Sequence, residues 1–202
     1  MFVTALFRHL VGFWFRRGLI CLLLATTIVY AAAKPSVSDD FTDRRLTIGA
    51  RIFRALLAAD TDLEGKTAGD DELKLCLLYL DDATNAKVVA EALSRRDDPR
   101  IRGKEIQIET LSYAECLADP ADHYAAIFLT QRISDAELAR LINLSSSRNL
   151  IVFSPFEGDI ERGVQSGIAV EARVRPYLNL TALRDAGIEL KSFFMEVAKK
   201  HE

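Results

Sequence analysis

The hydrophobic and polar positions of this chain alternate between two kinds of segment after residue 44. Short, nearly continuous apolar runs are typical of strands that are covered on both faces, as in a parallel sheet. The first run, 73–80, reads Leu-Lys-Leu-Cys-Leu-Leu-Tyr-Leu and is bounded by acidic residues. Apolar or alternating segments at 105–110, 124–130 and 149–154 predict three further strands.

Helical periodicity occupies the segments around these strands. Apolar residues recur on one helical face in several segments, namely 45–59, 83–95, 134–142 and 188–200, and a short helix fits 113–117. Ser134 and Glu137 have the spacing of a capping box, in which each residue's side chain satisfies the other's backbone N–H. This pair predicts where the fourth helix begins.

The C-terminal third adds a different strand pattern. Residues 168–174 alternate between apolar and charged side chains, which predicts a half-exposed antiparallel strand. A short extended piece follows at Tyr177-Leu178. Strands that alternate with helices predict an α/β fold. We therefore expect a single layered domain with a largely parallel sheet, flanking helices and an antiparallel strand near the C-terminus.

The first 33 residues belong to a different class of segment. They contain no acidic residue, and three arginines carry their only full charges. The uncharged run 18–33 has three consecutive leucines near its centre and ends in Ala31-Ala32-Ala33. A basic start, an apolar stretch and a small-residue cleavage site together predict a secretory signal peptide that is removed after Ala33. An uncleaved membrane anchor is the alternative.

This interpretation divides the chain into three parts. We expect a signal peptide at 1–33, a flexible leader at 34–44 and one α/β domain at 45–202. The leader is inferred from its polar composition, which is rich in Ser and Asp. The exported protein would then lie in an oxidising compartment, in which disulfides form and persist.

The charge balance and the cysteine count exclude several classes of protein. The chain has 26 basic and 29 acidic residues among 202, which gives a formal net charge of −3. A nucleic-acid-binding surface would show a basic excess gathered on one face, so we predict no nucleic-acid partner. Three cysteines are too few for a dense disulfide scaffold or a Cys-rich metal module.

Motifs for catalysis are mostly absent, so we predict a protein that is not an enzyme and has no cofactor or metal site. Gly65-Lys66-Thr67 resembles the end of a P-loop, but the motif requires glycine where this chain has Asp60. Neither the dinucleotide-binding glycine pattern nor the nucleophile elbow of hydrolases is present. A zinc site or a Ser/His/Asp triad would have to use His123, for which we favour a simple polar role at the entrance to a strand.

Three acidic pairs are weak candidates for acid–base or cation chemistry: Asp70-Asp71, Asp81-Asp82 and Asp97-Asp98. Each pair lies at the edge of a predicted element. Acidic residues are common there because they stabilise turns and helix N-termini. We predict structural roles for all three pairs.

The C-terminal segment carries a more specific pattern. Gly163-Val164 precedes the alternating strand, and two longer motifs follow it: Asn179-Leu180-Thr181-Ala182-Leu183-Arg184-Asp185-Ala186-Gly187 and Ser192-Phe193-Phe194-Met195-Glu196-Val197-Ala198. This arrangement resembles the YfiR/HmsC-like family of periplasmic bacterial proteins, and the layout of the earlier elements fits as well. The chain departs from the family at 58–63, where many members carry Trp-Pro, and in the details of the last helix.

The motif residues also have structural interpretations. Asn179 follows a strand and precedes a helix, where its side chain can cap backbone N–H groups. Gly187 suits a left-handed helix end. Arg184 either pairs with an acidic residue, which we favour, or binds a partner. Gly163 and Ser192 belong to the pattern without an assigned chemistry.

The resemblance implies regulation. Its best-known members bind the periplasmic part of an inner-membrane diguanylate cyclase and hold it inactive, which would connect this chain to c-di-GMP signalling. We therefore expect a periplasmic regulator whose partner is a membrane signalling protein, either a diguanylate cyclase or a sensor kinase. The alternative is a small-ligand-binding or transport-associated periplasmic module, because the layout is similar to one lobe of a solute-binding protein. The oligomeric state stays open, a homodimer included.

Cys76 and Cys116 are the two cysteines that remain after signal removal. They lie 40 positions apart, which resembles the spacing of a disulfide pair in family members, and in an oxidising space a single pair of thiols is expected to join. We favour a Cys76–Cys116 disulfide over the alternative of two buried thiols, which is the commoner state of cysteine in apolar surroundings.

Overall fold

The computed structural model describes residues 37–67, 71–94, 100–118 and 124–202. The proposed signal peptide, His123 and the pair Asp97-Asp98 lie outside these ranges. Residues Phe41–Glu202 form one compact unit, which carries the features described below.

Helices and strands alternate through most of the described chain. The helices are α1 (Val37–Ala59), α2 (Thr84–Ser94), α3 (Tyr113–Ala118), α4 (Asp135–Ser146), α5 (Leu180–Asp185) and α6 (Ser192–Val197). The strands are β1 (Glu72–Tyr79), β2 (Arg100–Ile101), β3 (Lys104–Ser112), β4 (Ala126–Leu129), β5 (Ile151–Ser154), β6 (Ser166–Val170), β7 (Val174–Asn179) and β8 (Lys199–His201). No helix in the described ranges is both long enough and apolar enough to cross a membrane.

The strands form one mixed sheet in the order β2-β3-β1-β4-β5-β6-β7-β8. The five central strands, from β3 to β6, are parallel. Antiparallel pairing occurs between β2 and β3 and between β6 and β7, and β8 returns to run parallel to β7. The predicted α/β class, the largely parallel sheet and the antiparallel strand near the C-terminus are therefore confirmed.

Two hydrophobic clusters cover the two faces of the sheet. The first cluster joins α1, α2, α5 and α6 to residues such as Leu75 and Phe128, and the second joins α3 and α4 to residues such as Cys76 and Ile127. This division follows from the connections, since right-handed crossovers place helices on opposite faces when the strand order reverses direction. The reversal lies between β1 and β4, and ligands of open α/β sheets bind beside the carboxyl ends of strands at such a point.

Three phenylalanines form the centre of the first cluster. The ring centroids of Phe53, Phe128 and Phe153 lie 5.1–5.4 Å apart, and all three side chains are fully buried. Aromatic rings at these separations gain energy beyond the area they bury. The cluster thus anchors α1 against the carboxyl halves of β4 and β5.

The structure differs from the sequence prediction at several places. Helix α1 begins at Val37, within the expected leader. The alternating stretch 168–174 is a hairpin, with β6 and β7 joined by a turn at 171–173, since alternation by itself does not reveal a turn. The last predicted helix ends at Val197, and Lys199–His201 form β8 instead.

Candidate ligand-binding cavity

A cavity of about 120 Å³ lies beside the carboxyl ends of β5 and β6. One wall is the loop that follows β5, with Phe156, Glu157 and Glu161. The second half of β6 and the turn after it form the floor, and α1 contributes Arg45. The cavity therefore lies at the carboxyl ends of parallel strands, although not at the point between β1 and β4 where the strand order reverses.

Charges of both signs line this cavity. Arg45 is half-buried, and its Nη1 donates a hydrogen bond to the Pro155 carbonyl at 3.1 Å. Glu157 and Glu161 are exposed carboxylates of the loop. A guanidinium has five N–H donors in a fixed fork, so one bond to Pro155 leaves most of the capacity of Arg45 for an anion.

A tyrosine and an ion-pair network close the side formed by β7 and β8. Tyr177 donates from its hydroxyl to Glu161 Oε1 at 2.9 Å, and Lys199 Nζ lies 4.7 Å from the centre of the Tyr177 ring. Burial first, and the bond to Glu161 second, raise the pKa of Tyr177. Tyr177 therefore acts as a hydrogen-bond donor around neutral pH.

Glu171 completes that network from the turn between β6 and β7. Its Oε2 accepts from Arg175 at 2.7 Å, and its Oε1 lies 3.2 Å from Lys199 Nζ. The hydrogen bond from Arg175 and then that from Lys199 hold the pKa of Glu171 below its ordinary value. Glu171 is thus already neutralised by two cations, whereas Glu157 and Glu161 remain available.

A fully buried aspartate fixes the loop that carries Phe156, Glu157 and Glu161. Asp159 accepts from Ser154 Oγ at 2.5 Å and from Arg162 Nη1 at 2.8 Å. Arg162 also reaches the Ile133 carbonyl at 3.0 Å and Asp135 at 2.6 Å. Because a buried charge is retained only when it is paired, Asp159 ties the loop to α4 and β5 and holds the cavity wall in place.

Two residues of the C-terminal pattern support the same loop. Asn179 caps α5 by accepting from the Ala182 N–H at 2.9 Å, as predicted, and its amide also donates to the Ile160 carbonyl at 2.9 Å. Gly163 has φ +102°, which favours glycine, where the loop turns back toward β6. The pattern residues Asn179 and Gly163 are therefore brought together around the cavity wall.

The other pattern residues lie at α5 and α6. Gly187 has φ +67°. Its N–H donates to the Arg184 carbonyl, and the N–H of Ile188 donates to the Leu183 carbonyl. This is the Schellman arrangement that ends a helix. The predicted left-handed helix end is confirmed. Ser192 is the exposed first residue of α6.

Arg184 and Gly187 border an apolar groove of about 480 Å³, whose walls include Leu183, Leu190 and Met195. The Arg184 side chain is exposed, and no ion pair within the described residues involves it. The favoured interpretation, in which Arg184 pairs with an acidic residue, therefore does not hold in this structure. The groove, called here the α5–α6 groove, is a second concave surface of the chain.

The two cysteines lie in one hydrophobic cluster. Cys76 is in β1, Cys116 is in α3, and both are fully buried on the face covered by α3 and α4. The structure holds both as thiols. The disulfide therefore stays a prediction.

The acidic pairs have the roles expected of turn residues where the structure describes them. Asp82 Oδ1 accepts from both the N–H and the hydroxyl of Thr84 at the start of α2. Asp71 pairs with Lys104 at 2.5 Å and has φ +70°. Within the described ranges, no group of three or more His, Cys, Asp or Glu residues is placed to hold a metal ion.

No protein-family model and no curated protein matches this chain. Solved structures do match. One is the ABC domain in complex with L-Trp from Streptococcus pneumoniae, with a TM-score of 0.52 and 11% identity over 77% of this chain. Another is a conserved domain protein from Vibrio cholerae, with a TM-score of 0.47 and 12% identity over 70% of this chain.

The chain spans 61% and 58% of the lengths of these two proteins. The similarity to the first concerns the fold, which it places among α/β domains. Cavity residues such as Arg45, Glu157 and Lys199 come from separate elements and were missed by the sequence analysis. The Pro155–Gly158 segment contains two residues typical of turns and directly follows a buried strand, a local pattern that could have indicated this edge.

Proposed function

We propose that this protein is a non-catalytic binding module that holds a small charged solute in the cavity beside β5 and β6. The observation that carries the proposal is the concave space at the carboxyl edge of the sheet, to which α1 contributes Arg45 and the loop after β5 contributes Glu157 and Glu161. Polar groups that converge on a concave site fix the orientation of a small molecule and give specificity.

Two further observations support a binding role. The solved domain with this fold from Streptococcus pneumoniae carries L-Trp, a small solute with two charges. The cavity wall is also braced by Asp159 and Asn179, so the site is formed before any ligand arrives. A preformed site loses less conformational entropy on binding, which favours affinity.

Binding without turnover fits the side chains that line the site. The cavity contains carboxylates, a guanidinium, an ammonium and a tyrosine, and its two loop carboxylates are exposed. The proposal includes export: the chain would act outside the cytoplasm, where a solute-binding module meets its ligand.

A thermal-shift screen tests this function. Panels of amino acids, organic acids and amines are added to the purified protein, since a ligand that binds only the folded state raises the melting temperature. Ala169 is a buried residue that lines the cavity floor, so the larger side chain in Ala169→Leu would fill part of the cavity. Ala139→Leu, on the exposed side of α4, is the matched control.

We expect at least one charged solute to stabilise the wild type and the Ala139→Leu variant but not the Ala169→Leu variant. Equal stabilisation of all three proteins would place the ligand elsewhere. A panel without any stabilising solute would contradict the binding function.

A second candidate function is regulation of a membrane signalling protein, and the α5–α6 groove favours it. The groove is built by the segment that resembles the YfiR/HmsC-like family, and it exposes Arg184 beside apolar walls. The helix α6, which contributes Met195 to the groove, also exposes Phe193 and Val197. Under this proposal, the groove would contact the periplasmic part of a diguanylate cyclase or sensor kinase.

Co-purification tests the second candidate. The tagged protein would be isolated from membranes with a cyclase or kinase, and Arg184→Ala would reduce the recovered partner while Arg51→Ala, on exposed α1 surface, would not. Recovery of no signalling protein, or equal recovery with both variants, would count against this function.

A further inference from the structure

The cavity combines a small volume with opposite charges on different elements. Its volume of about 120 Å³ is smaller than that of an engineered protein cavity of about 150 Å³ that binds benzene. The cation Arg45 comes from α1, and the anions Glu157 and Glu161 come from the loop after β5. A ligand that satisfies both walls must carry both charges within a few bonds of each other.

We infer that the cavity selects a short zwitterion, such as glycine, alanine or β-alanine, and excludes amino acids with bulky side chains. This inference rests on the proposed binding function and specifies its ligand class. The ligand carboxylate binds the Arg45 guanidinium, and its ammonium group binds the carboxylates of Glu157 and Glu161.

Arg45 is suited to the carboxylate because of how it is held. Its bond to the Pro155 carbonyl fixes the guanidinium at 3.1 Å from the backbone, directly beside the loop that carries the acidic residues. A planar guanidinium can then present two parallel donors to a carboxylate, which adds both energy and orientation. Lys199 is less suited, since it already pairs with Glu171 at 3.2 Å.

The acidic wall is suited to an ammonium group. Glu161 uses Oε1 to accept from Tyr177 at 2.9 Å, and its second oxygen stays available. Glu157 lies four positions earlier in the same loop, whose shape is fixed by buried Asp159. Phe156 also lines the cavity, and the Arg132 guanidinium already lies over its ring, 5.7 Å from the ring centre.

The size of the cavity argues against a large side chain. The lining is polar over much of its extent, with four of its members charged besides Arg45: Glu157, Glu161, Glu171 and Lys199. An indole ring is larger than a benzene ring, and it would bury these charges without pairing them, which costs free energy. The solute bound by the domain from Streptococcus pneumoniae is therefore a poor ligand for this cavity.

Isothermal titration calorimetry of the purified protein separates charge from size. The probes are glycine, alanine and β-alanine as short zwitterions, acetate as the anion alone, methylammonium as the cation alone, and L-Trp as the bulky zwitterion. We expect saturable binding of at least one short zwitterion, and at least tenfold weaker binding of the other three probes.

Variants assign the two ends of the ligand. Two variants are compared: Arg45→Gln alone, and Glu157→Gln combined with Glu161→Gln. Each variant should bind the zwitterion at least tenfold more weakly than the wild type. Arg51→Gln on the same helix and Glu196→Gln on α6 are exposed controls that should leave it unchanged.

The outcomes separate this inference from the function beneath it. If acetate or methylammonium binds as tightly as the zwitterions, or L-Trp binds more tightly, the short-zwitterion inference is wrong while a solute-binding function stands. If none of these probes binds and no solute of the wider thermal-shift panel stabilises the protein, both the short-zwitterion inference and the solute-binding function are wrong.

Discussion

Lys66 Nζ lies 2.5 Å from Asp60 Oδ2, with the lysine side chain 6% exposed and the aspartate fully buried. Asp60 Oδ1 also accepts from the Asp62 N–H at 3.0 Å, and its carbonyl accepts from Arg102 at 2.9 Å. Lys66 belongs to the Gly65-Lys66-Thr67 triplet that resembles the end of a P-loop, and Asp60 occupies a position at which that motif requires glycine. Instead of cradling a phosphate, Lys66 neutralises the aspartate that occupies the place of the required glycine.

Removing the lysine should therefore destabilise the fold. In Lys66→Met the buried Asp60 carboxylate loses its cation, and loss of one partner from a buried pair costs about 3 kcal/mol or more. Urea unfolding measures the change. Lys87→Met, on the exposed surface of α2, should be nearly neutral, and Asp60→Asn combined with Lys66→Met should recover part of the loss. Equal stability of Lys66→Met and Lys87→Met would show that the pair contributes little.

Stability should depend on pH through Glu171. Hydrogen bonds from Arg175 and Lys199 lower its pKa from the ordinary value of 4.5. A lowered pKa in the folded state stabilises the fold above the unfolded-state pKa, and this contribution is lost as the pH falls through the folded-state value. Glu171→Gln should thus be less stable than the wild type at pH 7 and equally stable at strongly acidic pH.

Urea unfolding at several pH values checks the Glu171 prediction. Glu196→Gln, an exposed glutamate on α6, serves as the control and should follow the wild type throughout. A stability difference for Glu171→Gln that persists unchanged into strong acid would show that the substitution acts through packing and not through the ion pairs.

The oxidised protein should contain a Cys76–Cys116 disulfide. Both residues lie in one hydrophobic cluster, and closing a loop of this length contributes about 4 kcal/mol in the chain-entropy model. Reductant should therefore lower the melting temperature of the wild type but not that of Cys116→Ala. Two alkylated thiols in native protein that was never reduced, detected by mass spectrometry, would exclude the bond.

The exported protein should begin at Lys34. This expectation comes from the basic start, the apolar run and the alanine triplet of residues 1–33, which lie outside the described residues. N-terminal sequencing of the protein from the cell envelope gives the answer. Material that still begins at Met1 would indicate an anchor.

The alternation of strands and helices was predictable because a strand that is buried on both faces has a nearly continuous run of apolar residues. The run at 73–80 corresponds to β1, whose residues Leu75, Cys76, Leu77 and Leu78 are fully buried. The capping box of Ser134 and Glu137 was predictable for a similar reason, since both partners lie within one turn. Local patterns encode local structure.

The hairpin and the cavity were less accessible because they depend on distant pairings. The turn at 171–173 has no glycine or proline to interrupt the alternation of 168–174. The cavity joins Arg45 to Glu157 and Lys199, which are far apart in the sequence and meet only through the order of the strands. Asn179 was assigned its cap correctly, but its second bond to the Ile160 carbonyl required the fold.

An NMR titration of the isotope-labelled protein with glycine tests the central claim most directly, because it reports where a solute binds. The account predicts that saturable shifts of backbone amides gather in 156–161, in 168–171 and at Arg45, and that Arg45→Gln abolishes them while Arg51→Gln does not. Shifts that gather instead around the α5–α6 groove, at Leu183, Arg184 and Gly187, would contradict it.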